Sequence, residues 1–330
     1  MTQRGKRWIL LSAVLLALAF VSLCVGRYAV APPDALRALV SPGADARVRN
    51  VVCDIRLPRI LLSCLTGAAL ALAGTVFQIV FHHPMASPDL LGTSSGACFG
   101  AALALLLGAS GTVTALSALS FGLVSVVLCV TLAKRVRQDS QTALILTGIV
   151  VGALFSGGTS CVKLLADTDN QLPGITYWLM GSLAGARTRS ALFAGIPILA
   201  ASAVLLGLRF RLNALGLSDE EAAAIGVNVR RLRTAAILCA SLLTAVSVSV
   251  SGLIGWVGLF VPNLLRRITG GDCRDLVPGS LLTGAIFLLV MDNLARTLLT
   301  VEIPIGILTS FVGAPLFLFL ICRNSREAER

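Results

Sequence analysis

Apolar runs long enough to cross a bilayer recur almost from end to end of this 330-residue chain, and they leave little else from which to build a fold. A crossing needs about 20 mostly apolar residues. Such runs lie at about 8–25, 56–80, 92–108, 113–133, 142–165, 192–208, 235–250, 254–265, 276–298 and 305–321. The expectation is an all-α polytopic membrane protein of about ten transmembrane helices, forming one membrane domain over 1–330 with both termini on one side. Length alone would allow two soluble domains, but 56% hydrophobic residues, 13% charged residues and a mean hydropathy of +0.89 exclude that class.

The 31 glycines, together with abundant alanine inside the runs, suit helices that approach closely where no hydrophobic effect separates protein from lipid. The nine cysteines stand as singles with no C-x-x-C pair, so they read as small apolar packers and not as metal ligands or a disulfide framework. The net charge of +11 does not point to nucleic acid, because the basic residues cap the ends of apolar runs and form no soluble basic domain.

Arg4, Lys6 and Arg7 precede the first run, which reads as a retained span. A mixed, proline-containing loop to Ile55 follows, with room for one short surface helix. Two prolines, Pro84 and Pro88, break the chain between the second and third spans. Tyr177 and Trp178 suit an interfacial helix.

Residues 208–233 form a polar island between the sixth and seventh spans, with five of the 27 basic residues and the acidic run Asp219-Glu220-Glu221. Ser218 and Glu221 have capping-box spacing. Gly226 can end the short helix so started, and Asn228 can cap a second that runs through Arg230 into the next span. The prediction is a two-helix elbow on one membrane face. Lysine and arginine counts of 17 on that face against 10 on the other make it cytoplasmic, although six of those ten cluster at 27–59.

RLPRILLSCLTGAALALAGTVFQ (56–78), HPMASPDLLGTSSGACFGA (83–101), YWLMGSL (177–183), LSDEEAAAIGVNVRRLR (217–233), SGLIGWVGLFVPNLLRRITG (251–270) and DNLARTLLTVEIPIGILTSFVGAPLFLFL (292–320) strongly resemble the FecCD-type permeases of ABC importers for iron-siderophore complexes, haem and vitamin B12. The resemblance covers nearly the whole chain from Arg56. It implies the type II ABC importer permease fold in a bacterial cytoplasmic (inner) membrane. It also implies a second permease subunit (an identical copy or a paralogue), two cytoplasmic ATPase subunits and an extracytoplasmic substrate-binding protein as partners. The family's coupling helices fall on 218–233, which implies that Ser218, Asp219, Glu220, Glu221, Gly226 and Arg230 meet the ATPase. Its positive docking pocket falls on Arg56, Arg59 and Arg296, where charge complementarity to acidic residues of the binding protein fixes register and speeds encounter.

Asp292 lies four residues before Arg296 on one helix face and reads as its structural ion-pair partner, with a proton-relay role as the alternative. His82 and His83 point about 100° apart if helical and lack neighbouring ligands, so they read as a turn. The family's histidine in the V-P-H motif is Asn263 here. An intramembrane enzyme would need a base or metal set that two adjacent histidines do not supply; no metal and no cofactor is expected. A gradient-driven secondary transporter would carry more charges within its spans. No G-x-x-x-x-G-K-[ST] loop occurs, so ATP hydrolysis is expected on a separate chain. An iron(III)-siderophore is the first expected cargo, with cobalamin, haem or molybdate as alternatives.

Overall fold

In the computed structural model, which describes residues 3–26, 28–40, 45–136, 140–216, 221–222 and 226–328, all regular structure is helical. The chain runs through α1 (Gln3–Cys24), α2 (Pro32–Val40), α3 (Ala46–Arg49), α4 (Leu57–Val80), α5 (Thr93–Leu106), α6 (Gly111–Ala133) and α7 (Ser140–Leu165). It continues through α8 (Gln171–Leu179), α9 (Thr188–Leu212), α10 (Val229–Ser251), α11 (Val257–Thr269), α12 (Cys273–Thr297) and α13 (Ile305–Ala328). With no water to bond exposed amides in hydrocarbon, apolar runs of this length have no other stable backbone short of a closed barrel.

Seven helices among the described residues are long and apolar enough to cross a membrane: Gly5–Cys24, Ala46–Val80, Gly111–Ala133, Gln141–Leu165, Thr188–Gly216, Val229–Ser251 and Cys273–Thr297. Two shorter helices, α5 and α11, and the apolar part of α13, Ile305–Leu320, stand where the remaining three spans were expected. α5 has 14 residues and so reaches only about 21 Å, short of a hydrocarbon core of about 30 Å. It starts late because Pro84 and Pro88 keep the preceding chain out of helix, and the Asp89 carboxylate then caps it, accepting from the Ser94 amide at 2.7 Å.

α4 is the hub, packed by α9, α10, α11 and α12 and buried on nearly every face. Small residues make this possible. A methyl group on Gly67 would overlap the Gly284 carbonyl of α12, and one on Gly74 would overlap the Gly258 carbonyl of α11. α5 approaches α6 in the same way, through Gly96 and Gly100 against the backbone of Phe121 and Ser117. Dispersion between closely approaching backbones holds such a bundle where lipid tails compete with every apolar side chain.

The segment before the second span departs from the expected loop. α3 passes without interruption into a π-helical stretch, Asn50–Arg56, and this flows directly into α4, so the RLPR motif lies inside one helical run. The reason is Pro58, which has no amide to give the preceding turn; the wider winding absorbs the missing bond where a regular α-helix would clash.

Candidate functional site

Both ends of the bundle carry organised polar structure. At the end where α4 begins, Arg59 donates from Nε to Asp292 Oδ1 at 2.9 Å and from Nη1 to both Glu302 oxygens at 3.1 and 3.0 Å. Asp292 Oδ2 lies 3.6 Å from Arg296 Nε across one turn of α12. Arg296 Nη2 donates to Ser22 Oγ at 2.8 Å and also to Asn293 Oδ1. Arg56 donates to the carbonyls of Leu23 and Tyr28, which closes the C-terminal turn of α1, where carbonyls lack helical partners and cations are favoured.

The three arginines predicted for docking are therefore brought together, and Arg56 and Arg59 stand close enough to repel Arg296. All three are buried and bonded within the chain. Exposed arginines before α4 and around the start of α9 are others: Arg37, Arg47, Arg49, Arg187 and Arg189. The Asp292 side chain is 0% exposed, against 7% for Arg59 and 26% for Glu302. Sequence reasoning missed Glu302, which lies 243 residues from Arg59 in the chain.

At the opposite end, α9 leads through a 3₁₀ turn, Asn213–Gly216, into the elbow. Asn213 pins the turn to the start of α12, donating to Asp272 Oδ1 and accepting from the Cys273 amide, both at 2.9 Å. The Leu215 carbonyl meets His82 Nε2. His82 has φ 51°, and the His83 ring accepts from the Met85 amide, so both histidines serve the turn they sit in. Asn263 donates to the Pro84 carbonyl at 2.9 Å and ties α11 to the same turn. Asp89 completes the turn; burial pushes its carboxyl above the ordinary carboxylate range, while hydrogen bonds from Ser94 and Ser95 oppose that rise.

Ser218, Asp219 and Glu220 lie outside the described residues. Glu221 and Arg230 are exposed on the elbow, and Gly226 has φ 75°, the left-handed value a helix-terminating glycine takes. The Asn228 side chain accepts from the Arg231 amide at 3.0 Å and caps α10. From that cap α10 runs unbroken for 23 residues, so the turn that carries Arg230 is continuous with a span.

Where the end of α8 meets the starts of α11 and α13, an open cavity of about 470 Å³ is lined mostly by apolar side chains, among them Met180, Leu253, Trp256, Ile307 and Phe311. Trp256 opens α11 with φ 69°, a conformation rare for a bulky residue, and its ring lies 6.2 Å from that of Phe317. No local pattern signals this: a positive φ at a non-glycine residue is imposed by packing, here against Gly313, where a Cβ would meet the Trp256 side chain.

A multi-pass helical bundle with an apolar cavity and two structured polar ends is the architecture of a membrane transport subunit. The chain belongs to the FecCD transport family, which it matches over residues 14–323. It is 38% identical over 320 residues to the molybdate import system permease protein MolB of Haemophilus influenzae, covering 96% of this chain and 95% of that one. Identity to the Fe(3+) dicitrate transport system permease protein FecC of Escherichia coli is 39% over 325 residues, covering 96% and 97%. A solved structure described as an inward-facing conformation of a metal-chelate type ABC transporter superposes with a TM-score of 0.89 at 38% identity, over 97% of this chain and 99% of that one. The protein is thus an ABC importer permease, a transport subunit and not an enzyme, and its family implies an ATPase, a binding protein and a second permease subunit as partners.

Proposed function

We propose that this subunit carries a metal chelate, first of all an iron(III)-siderophore, across a bacterial cytoplasmic membrane as one half of a permease pair formed with an identical copy or a paralogue. The whole of 1–330 acts as one translocating domain. Two ATPase subunits engage the elbow through Ser218, Asp219, Glu220, Glu221, Gly226 and Arg230. The binding protein docks at the Arg59 end, and both termini are cytoplasmic. The excess of lysine and arginine at the elbow side supports this orientation.

One observation carries the cargo reading. The cavity lining presents side chains such as Leu179, Met180, Trp256, Ile307 and Phe311 and no fixed charge. Such a wall lets a bulky, charge-masked chelate pass without a deep binding site, whereas a bare oxyanion would find few donors there. The near full-length identity to the molybdate permease supports the competing cargo. Selection between them falls to the binding protein.

The test is uptake into proteoliposomes that contain the permease pair, its ATPase and the binding protein of the same system. ATP-dependent accumulation of ⁵⁵Fe-siderophore is the expected result; accumulation of ⁹⁹Mo-molybdate instead transfers the cargo to the oxyanion. Gly226→Pro, or the pair Glu221→Lys with Arg230→Glu, is expected to abolish uptake while the protein remains in the membrane. Normal uptake in both would remove the elbow from the coupling path. Solute movement by the chain without an ATPase would overturn the assignment.

A further inference from the structure

The Arg59 cluster holds three guanidinium groups and two carboxylates, and the two carboxylates are held differently. Asp292 is fully enclosed and bonded on a regular helix. Glu302 reaches solvent and stands on the non-helical segment 298–304 between α12 and α13. That segment is loosely held. Leu298, Leu299 and Val301 are exposed, Val301 at 73%; the segment's ends are tied by Leu298 N to Leu294 O at 3.0 Å and by Ile307 N to Pro304 O at 3.1 Å, and between them the backbone bond out is Ile303 N to Ala295 O at 3.2 Å. Four residues beyond Glu302 the chain enters the cavity wall at Gly306, where a Cβ would overlap the Met180 carbonyl.

We propose that Glu302 is an internal placeholder on Arg59, which an acidic side chain of the docking protein displaces, releasing 298–304 and with it the first turn of α13 at the cavity. This rests on the docking reading given above. Its physical basis is that Asp292 is shared between Arg59 and Arg296, so Glu302 supplies the rest of the negative charge that the buried Arg59 guanidinium faces. Replacing one carboxylate by another keeps that charge in place. The exchange is therefore energetically flat, and small differences in partner affinity can drive it. Asp292 is not the one exchanged, because it also neutralises Arg296 and is fully enclosed. Docking at the rim would thereby be sensed at the cavity without any change in the spans between.

The test uses the complete transporter in lipid nanodiscs, the binding protein of the same system, and a Val301→Cys reporter with Cys161 and Cys322 replaced by serine. Docking is expected to raise the maleimide labelling rate of the reporter several-fold. Glu302→Gln is expected to label at the fast rate with no binding protein present, and to bind that protein about threefold more tightly because the internal competitor is gone. A reporter that ignores docking, or a Glu302→Gln variant that binds no more tightly, overturns the exchange. Arg59→Lys, which keeps charge but loses the two-pronged bond, separates this from the docking reading. Weaker binding in Arg59→Lys together with an unresponsive reporter leaves docking standing and removes the exchange; unchanged binding removes both.

Discussion

Replacing Asp292 by asparagine removes one charge and almost no volume, and the structure allows the consequence to be worked out. The carboxylate is fully enclosed, 2.9 Å from Arg59 Nε and 3.6 Å from Arg296 Nε. With an effective dielectric constant of 20, Coulomb's law gives each contact roughly 5 kcal/mol before desolvation is subtracted. Losing one member of a buried ion network typically costs about 3–5 kcal/mol, because the remaining charges stay buried without compensation. Here two arginines share the loss, with Glu302 still on one of them. Glu302→Gln should cost far less, at most about 1 kcal/mol, since solvent reaches that side chain. The assay is unfolding by sodium dodecyl sulfate in mixed micelles, followed by tryptophan fluorescence. Asp292→Asn should unfold at a clearly lower detergent fraction than Glu302→Gln, and Asp292→Leu combined with Arg59→Met should recover part of the loss. If Asp292→Asn unfolds with the unaltered chain yet transports nothing, the carboxylate is not a clamp, and a proton-relay role takes its place.

Two further predictions follow from the packing and the elbow. Gly67→Val should prevent α4 from meeting α12 and leave the protein unfolded or degraded, whereas Gly157→Ala, with no atom near its would-be Cβ, should be neutral; size-exclusion profiles after detergent extraction distinguish them. Asn228→Ala should remove the cap on α10 at a cost of about 1 kcal/mol, read as faster hydrogen exchange at the amides of 229–232 and a drop in ATP-driven uptake.

The spans were legible because hydrophobic run length is a direct consequence of bilayer thickness, and the seven helices long and apolar enough to cross a membrane coincide with runs read from the sequence. The Gly226 bend and the Asn228 cap were legible because only short-range chemistry sets them. Three features were not. The π-helical approach to Arg56 requires knowing that the chain stays helical through a proline. The burial of Arg56, Arg59 and Arg296 depends on partners from α1, α12 and the segment before α13, and periodicity at the end of a span does not distinguish an arginine facing solvent from one facing a neighbouring helix. The left-handed backbone of Trp256 depends on packing against α13. The last two are long-range effects, decided by residues tens to hundreds of positions away, whereas the first turns on how the local backbone absorbs Pro58.

α4 lies at the centre of the bundle, yet its stretch is about as apolar as the far more peripheral first helix. Synthesis order explains why a protein-lined position should be so oily. At about 5–20 residues per second, Gly284 emerges roughly ten to forty seconds after Gly67, and the other neighbours come in between. Throughout that wait α4 has lipid where its neighbours will be. Its composition has to satisfy two solvents in succession: hydrocarbon tails first, then the glycines and alanines of its own late-arriving chain.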